Sequence, residues 1–469
     1  MMVKSNLIKI CILLAAFLCS FLPDLLNLNQ NLSLDGKIVV RMVIFMIFLW
    51  LTEVIPISIT ALLPILFSTF LLEIETSDVV RQYASPVVFL LLGGFIIALG
   101  FEKSNLHKRI ALKTLLIFGD TREKIILCVI FSTAFFSMWL SNTATCLLML
   151  PIVKNIIDNN FKSHNDLKFS KILIISVAYS SSIGGMATPI GTIPNAVMIG
   201  FLKENHGIEI DFIEWFTFCF PLVFVLLVFL FFFLRTKFTK NKEEVNKKFI
   251  YDKYLKLGNF SSKEKVTIFI LILTIILWFT KNTINQFFGI KLTDSIIALF
   301  GSFLFFTIPT KDSHSILSID WYKKIPWNVL VLFGGGLSMA SLIISTGLAE
   351  EFSKMFNFLN LFNLFTIILL VATVTSIMTE FTSNTATTFL LLPILSLFAL
   401  NNDMEVLYLT LPFVLAASCA FMMPIATPPN AIVYSSNFFK VSFMVSNGFF
   451  INLISVVTVS FYVYFFNFF

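Results

Sequence analysis

Apolar residues in this chain run in long blocks, not at the spacing of a half-buried helix or strand. Blocks able to cross a hydrocarbon core of about 30 Å recur from end to end. They predict spans over residues 7–23, 38–53, 55–72, 86–101, 171–203, 215–234, 264–280, 294–308, 328–346, 406–439 and 441–468. A segment crossing lipid must satisfy its backbone hydrogen bonds internally, so the pattern predicts an all-α polytopic membrane protein with about 11 transmembrane helices. The first block, Leu7 to Pro23, lacks a small-x-small cleavage site and reads as a span, not as a removed leader.

Two apolar segments, 123–157 and 363–400, are too long for one span, and each is interrupted at its centre by Ser-Asn-Thr. Polar backbone at membrane depth is stable only inside protein or beside a water-filled cavity, which predicts two re-entrant hairpins with those tripeptides at their tips. The segments are copies. Residues 141–152, SNTATCLLMLPI, match 383–394, SNTATTFLLLPI, and Gly93-Gly94 align with Gly335-Gly336 at the same offset of 242. Downstream, PIGTIPNAV at 189–197 matches PIATPPNAI at 424–432. Two blocks repeated in the same order predict an internal repeat. Threading the loops brings the hairpins in from opposite faces, so the repeat is inverted. The expected organisation is N-terminal scaffold helices over 1–84, a first repeat over 85–234, a basic linker over 235–265 and a second repeat over 266–469.

Charge sharpens the topology. Charged residues make up 13% of the chain, against about a quarter in soluble domains. The net charge of +6 equals the surplus of ten basic over four acidic residues between Arg235 and Lys265. Confined to a loop, it predicts a cytoplasmic face and no nucleic-acid partner. The segments Lys103–Lys124 and Lys154–Lys171 fall on that same face. The six cysteines sit in apolar runs without metal-ligand spacing and read as free thiols.

A carrier must hold an ion and an anion near the bilayer centre and then release both, a task suited to neutral dipoles. Ser and Thr hydroxyls and Asn amides offer donors to a carboxylate and oxygens to a cation. Prolines in the second block break the helix and free carbonyl oxygens, while small residues admit a ligand close to the backbone. The alternative for one copy is a proline kink with Asn and Thr bonded to the backbone; two copies, each following a Ser-Asn-Thr hairpin, favour a site.

The paired SNTAT motifs and the closing MPIATPPNAIVY, Met423 to Tyr434, resemble the divalent anion/sodium symporter family, in particular its bacterial sodium-dicarboxylate members. The resemblance covers essentially the whole chain. It implies import of C4-dicarboxylates (succinate, fumarate, malate) with Na+ by a homodimer, embedded in the lipid bilayer of a bacterial inner membrane and working as an elevator. It places one sodium at Ser137, Ser141, Asn142 and Gly191, and a second at Thr379, Thr382, Asn384 and Ala426. Substrate carboxylates are expected at Asn142, Thr143, Thr192, Ser383, Asn384, Thr385, Thr427 and Pro428. Ile193 stands where the other half has Pro428, so the half-sites are expected to be unequal.

An intramembrane enzyme is disfavoured: the chain has no His-Glu-x-x-His and no Gly-x-Ser-x-Gly. His107, His164, His206 and His314 are expected in solvated loops. Glu380 reads as a charge at the hairpin base or as a group tuning the second cation site. Within carriers, exchange or symport of sulfate or tricarboxylates is the alternative; the motif blocks contain no cationic side chain of the kind that lets an exchanger dispense with sodium.

Overall fold

A computed structural model of the protein describes residues 2–26, 30, 32–72, 74–161, 166–238, 246–311 and 315–466. His164, His314 and the linker residues Lys240, Lys242, Glu243 and Glu244 lie outside the described residues. Every regular element among those described is helical. Among the described residues seven helices are long and apolar enough to cross a bilayer, and shorter apolar helices accompany them.

The first half opens with α1 (Met2–Ser20), a turn of helix α2 (Leu22–Leu25) and α3 (Leu34–Thr52). Ser33 caps α3 by accepting from Gly36 N, and the helix stops at Glu53, whose backbone is left-handed at φ 48°. The expected span at 55–72 is two pieces, α4 (Ile57–Thr60) and α5 (Leu63–Leu71). Pro64 in the first turn of α5 explains the break, because proline starts a helix readily but cannot continue one. After α6 (Thr76–Arg81) come α7 (Pro86–Lys103) and α8 (Leu106–Phe118). The first hairpin is α9 (Arg122–Ser137) and α10 (Asn142–Asn160), and the expected span at 171–203 is a broken helix, α11 (Leu167–Gly185) and α12 (Ile193–His206). Helix α13 (Phe212–Arg235) closes this half and α14 (Lys248–Lys256) lies in the linker.

The second half runs α15 (Ser262–Phe288), α16 (Asp294–Thr307), α17 (Trp327–Ser345) and α18 (Leu348–Lys354). Its hairpin is α19 (Leu364–Met378) and α20 (Asn384–Asn401), its broken helix α21 (Leu407–Ala417) and α22 (Pro428–Tyr434), and its last helix α23 (Val441–Phe465). With 16 and 19 residues, α9 and α10 are about 24 and 28 Å long at 1.5 Å per residue, too short to cross twice and long enough to reach the interior.

Packing repeats as the sequence does. In the first half α9 lies on α11 and α13; in the second, α19 lies on α21 and α23. The halves also interlock: α10 packs on α22, and α20 packs on α12. The paired glycines explain a second exchange, in which α7 packs on α16 while α17 packs on α4 and α5. A Cβ on Gly93 would lie 2.7 Å from the Ala298 carbonyl carbon, and one on Gly335 would lie 1.9 Å from the Ala61 carbonyl oxygen. Only glycine permits either approach.

The three basic segments meet on one face. Arg109 of α8 is buried and donates to Glu264 Oε1 at 2.5 Å and to the carbonyls of Leu257, Gly258 and Asn259. Arg122 pairs with Asp166 at 2.5 Å, Arg235 with Glu123 at 3.1 Å, and Lys247 with Asp120. Neither described histidine lies in a solvated loop as expected. His107 lies on α8, 2% exposed, under the Phe101 ring, because α8 is amphipathic and turns this position to the core. His206 ends α12 and is half-buried beside Phe201. The six cysteines are free thiols; Cys11 is exposed and the four from Cys128 onward are buried.

Candidate functional site

The first hairpin tip, residues 138–141, is held against the break at 186–192. Ser141 caps α10 by accepting from Ala144 N at 3.3 Å. That leaves Asn142 in the first turn with its side chain turned back toward α9. The end of the amide lies 2.8 Å from Ser137 Oγ, 3.0 Å from the Ser181 carbonyl oxygen and 3.3 Å from the Gly191 carbonyl oxygen. Ser137 Oγ in turn donates to the Ser181 carbonyl at 2.6 Å. All three groups around the amide end are oxygens. Such a cage is satisfied by an amide nitrogen donating into it, or by a cation shared between the amide oxygen and its neighbours. Glycines make room for it: a Cβ on Gly185 would lie 2.2 Å from Asn142 Oδ1, and one on Gly191 would lie 2.5 Å from the Gly185 carbonyl oxygen and 2.9 Å from that of Ser137.

The break itself is tied down by side chains. Asn195 Nδ2 donates to the carbonyls of Gly185, Met186 and Thr188 at 3.2, 3.3 and 2.9 Å. Thr188 Oγ1 donates to the Met138 carbonyl at 2.6 Å and accepts from Gly191 N at 3.1 Å, joining break to tip. The same asparagine recurs in the second copy, where Asn430 Nδ2 donates to the carbonyls of Ala420 and Met423, both at 3.0 Å. The backbone-bonding role weighed for these blocks therefore falls to their asparagines.

At the second tip the polar groups are arranged differently. Thr379 is buried and its hydroxyl donates to the carbonyls of Thr375 and Ser376. Thr382 Oγ1 lies 2.7 Å from Thr387 Oγ1 and donates to the Met378 carbonyl at 2.8 Å. Asn384 Oδ1 is buried without a partner, which costs about 1–3 kcal/mol unless a ligand completes it. Thr385 is buried, Ser383 is exposed at the helix start, and Ala426 is buried in the break. No hydrogen bond joins Thr379, Thr382, Asn384 and Ala426 to one another among the described residues, whereas Ser137, Asn142 and Gly191 converge directly.

Glu380 holds this second break. Its side chain is 0% exposed, Oε1 accepts from Met422 N at 2.9 Å and Asn452 Nδ2 at 2.7 Å, and Oε2 accepts from Met423 N at 2.8 Å. Met138 occupies the equivalent position in the first tip, at the offset of 242, and its carbonyl is taken by Thr188. One half is joined through a hydroxyl, the other through a carboxylate. Neither Thr188 nor Asn452 was evident beforehand. Thr188 directly precedes the Pro189 block, a position from which it could have been noticed; Asn452 is one of several scattered polar residues of α23 and belongs to no motif.

Every residue expected to meet the anion lies in the first residues of a helix: Asn142 and Thr143 open α10, Ser383 to Thr385 open α20, Thr427 and Pro428 open α22, and Thr192 is the cap of α12. Helix starts carry unpaired N–H groups and about half a positive charge. Thr427 Oγ1 accepts from Asn430 N at 3.3 Å, while the Thr192 hydroxyl caps nothing. The two broken helices thus begin unequally.

Paired hairpins and broken helices in a repeated, interlocked helical bundle define an integral membrane secondary transporter, not an enzyme. The chain belongs to the divalent anion/sodium symporter family: the pattern described as "Sodium:sulfate symporter transmembrane region" matches residues 4–467. It is 35% identical over 461 residues to the sodium-dependent dicarboxylate transporter SdcS of Staphylococcus saprophyticus, covering 95% of this chain and 88% of the relative. It is likewise 35% identical over 451 residues to the SdcS of Staphylococcus aureus, covering 93% and 87%. In fold it is similar to the YdaH transporter of Alcanivorax borkumensis, with a TM-score of 0.58 at 12% identity over 82% of this chain and 87% of that one. The MtrF structure of Neisseria gonorrhoeae gives 0.57 at 12% identity over 92% and 94%.

Proposed function

We propose that this protein is a sodium-coupled symporter that imports C4-dicarboxylates such as succinate, fumarate and malate across a bacterial inner membrane. The observation that carries the reading is the oxygen cage at Asn142. Hard carbonyl and hydroxyl oxygens freed by a broken helix are the ligands a sodium ion takes. Ser137, Asn142 and Gly191 would hold the first ion, with Ser141 fixing the helix start beside it. Thr379, Thr382, Asn384 and Ala426 would hold the second, completing the unpartnered Asn384 oxygen.

The dicarboxylate would lie between the helix starts, taking hydrogen bonds from Asn142, Thr143 and Thr192 on one side and from Ser383, Asn384, Thr385 and Thr427 on the other, with Pro428 shaping the wall. An anion and two cations in one site lower each other's desolvation cost, which is the physical basis of coupling. Relatives named as sodium-dependent dicarboxylate transporters support the ion and the substrate class.

The movement would be an elevator within a homodimer. One body comprises α9–α13 with α19–α23 and the other α3–α7 with α15–α17, so the bodies cut across the sequence segments 1–84, 85–234 and 266–469. The test is a substrate panel in proteoliposomes with an inward sodium gradient. Succinate, fumarate and malate should compete with one another for uptake and sulfate should not; preferential uptake of sulfate or citrate would replace this substrate assignment.

A further inference from the structure

We propose that Lys168, Lys171 and Lys237 form a binding site for the phosphate-type headgroup of an anionic lipid, distinct from the transport site. The inference depends only on the protein lying in a bilayer, not on what it carries. Lys168 and Lys171 lie in the first turns of α11, and Lys237 follows the end of α13. Together with Phe443, Ser446 and Asn447 of α23 they line a cavity of about 320 Å³ at the basic end of the molecule.

Three ammonium groups around one cavity repel each other unless an anion joins them. Among the described residues none of the three lysines makes an ion pair, although acids are near in sequence. Asp166 is engaged by Arg122 at 2.5 Å and Glu123 by Arg235 at 3.1 Å. Two of them rest instead on aromatic faces: Lys171 Nζ is 5.9 Å from the Phe443 ring centre, and Lys237 Nζ is 4.7 Å from that of Phe233 and 5.5 Å from that of Phe450. Cation–π contacts position an ammonium without neutralising it. Asn447 is buried and spends one amide hydrogen on the Phe443 carbonyl at 2.7 Å.

The surroundings favour a lipid over a soluble anion. Phe233 meets Phe450 at 5.9 Å beside the cavity, and Phe229, Phe232, Phe449 and Phe450 are exposed along α13 and α23. A headgroup among the lysines would have this aromatic surface for its acyl chains. The site lies on the lysine-rich face that the positive-inside rule assigns to the cytoplasm, where basic pockets between helices bind acidic headgroups.

The test is lipid retention by native mass spectrometry, with melting temperature as a second readout, for the full chain in detergent. The probes are phosphatidylglycerol, phosphatidylcholine and inorganic phosphate. Phosphatidylglycerol should be retained and should stabilise the wild type, phosphatidylcholine should not, and K168Q/K171Q/K237Q should weaken retention on the order of a hundredfold, since each lysine near an anionic lipid contributes about fivefold. The control K253Q/K256Q/K263Q should retain the lipid. Equal loss in the control would show a net-charge effect and overturn the site, as would undiminished retention in the triple variant. Stabilisation by inorganic phosphate alone, equal to that by lipid, would make it a soluble-anion site and overturn the lipid assignment. If the triple variant fails to fold, Lys171→Gln alone should weaken retention about fivefold and Lys171→Arg should keep most of the binding; undiminished retention in Lys171→Gln would overturn the site.

Discussion

At the scale of single residues, the cage around Asn142 makes sharp demands. Asn142→Ala removes the side chain that reaches Ser137, Ser181 and Gly191 together, and should abolish uptake in reconstituted vesicles while the protein still melts cooperatively. Asn384→Ala should do the same in the other half. Gly185→Ala should act more gently: its Cβ must displace the Asn142 amide, raising the sodium concentration needed for half-maximal uptake at least tenfold without changing the substrate order. His107 gives a pH dependence unrelated to transport. Burial pushes its imidazole down from 6.5 to about 4, so the unfolded chain binds a proton that the folded chain refuses. Stability is complete above pH 6.5 and falls as pH drops toward about 4, by on the order of 3 kcal/mol at full titration; His107→Leu should flatten that slope in a melting series. The polar tips were legible because Ser-Asn-Thr is conspicuous inside apolar sequence. His107 was not, because a basic run reads as loop until the amphipathic period of α8 is seen to bury one of its faces.

At the scale of elements, the broken helices are kept broken by their asparagines. Asn195→Ala would leave three carbonyls without that amide, and Asn430→Ala two. Each should cost about 1–3 kcal/mol, read as a lowered melting temperature. The first hairpin tip also meets α15, the helix that opens the second half. Trp139 stacks near Phe212 and Trp278, with centroids 6.2 and 6.5 Å away, and Phe212 lies 4.0 Å from Trp278. The proposed elevator would have to part Trp278 from Trp139 and Phe212 on each cycle. Aromatic contacts of this kind contribute about 0.5–1.5 kcal/mol beyond area burial, so Trp278→Ala should change the maximal uptake rate severalfold with the sodium requirement unaltered. Hairpins and breaks were visible in sequence as overlong apolar segments with polar or proline-rich centres. The division of 55–72 into α4 and α5 was not, since apolar character is continuous there and only Pro56 and Pro64 mark the pieces.

For the whole molecule, the repeat explains both the architecture and its asymmetry. Each hairpin packs on the second part of the other half's broken helix, so each tip is seated partly against the other half of the chain. Repeated letters disclosed the two copies, but the exchange between them depends on close approaches at Gly93 and Gly335 that become apparent only once the partners Ala298 and Ala61 are known. The copies differ where Glu380 takes the place of the hydroxyl tie of the first tip, a difference at the joint itself in addition to that between Ile193 and Pro428 in sequence. The central claim is that sodium and dicarboxylate cross together through this paired site. Simultaneous measurement of labelled sodium and labelled succinate entering proteoliposomes tests it most directly. The account predicts that each gradient drives the other solute uphill and that Asn142→Ala abolishes both fluxes; succinate accumulation in choline medium equal to that in sodium would contradict it.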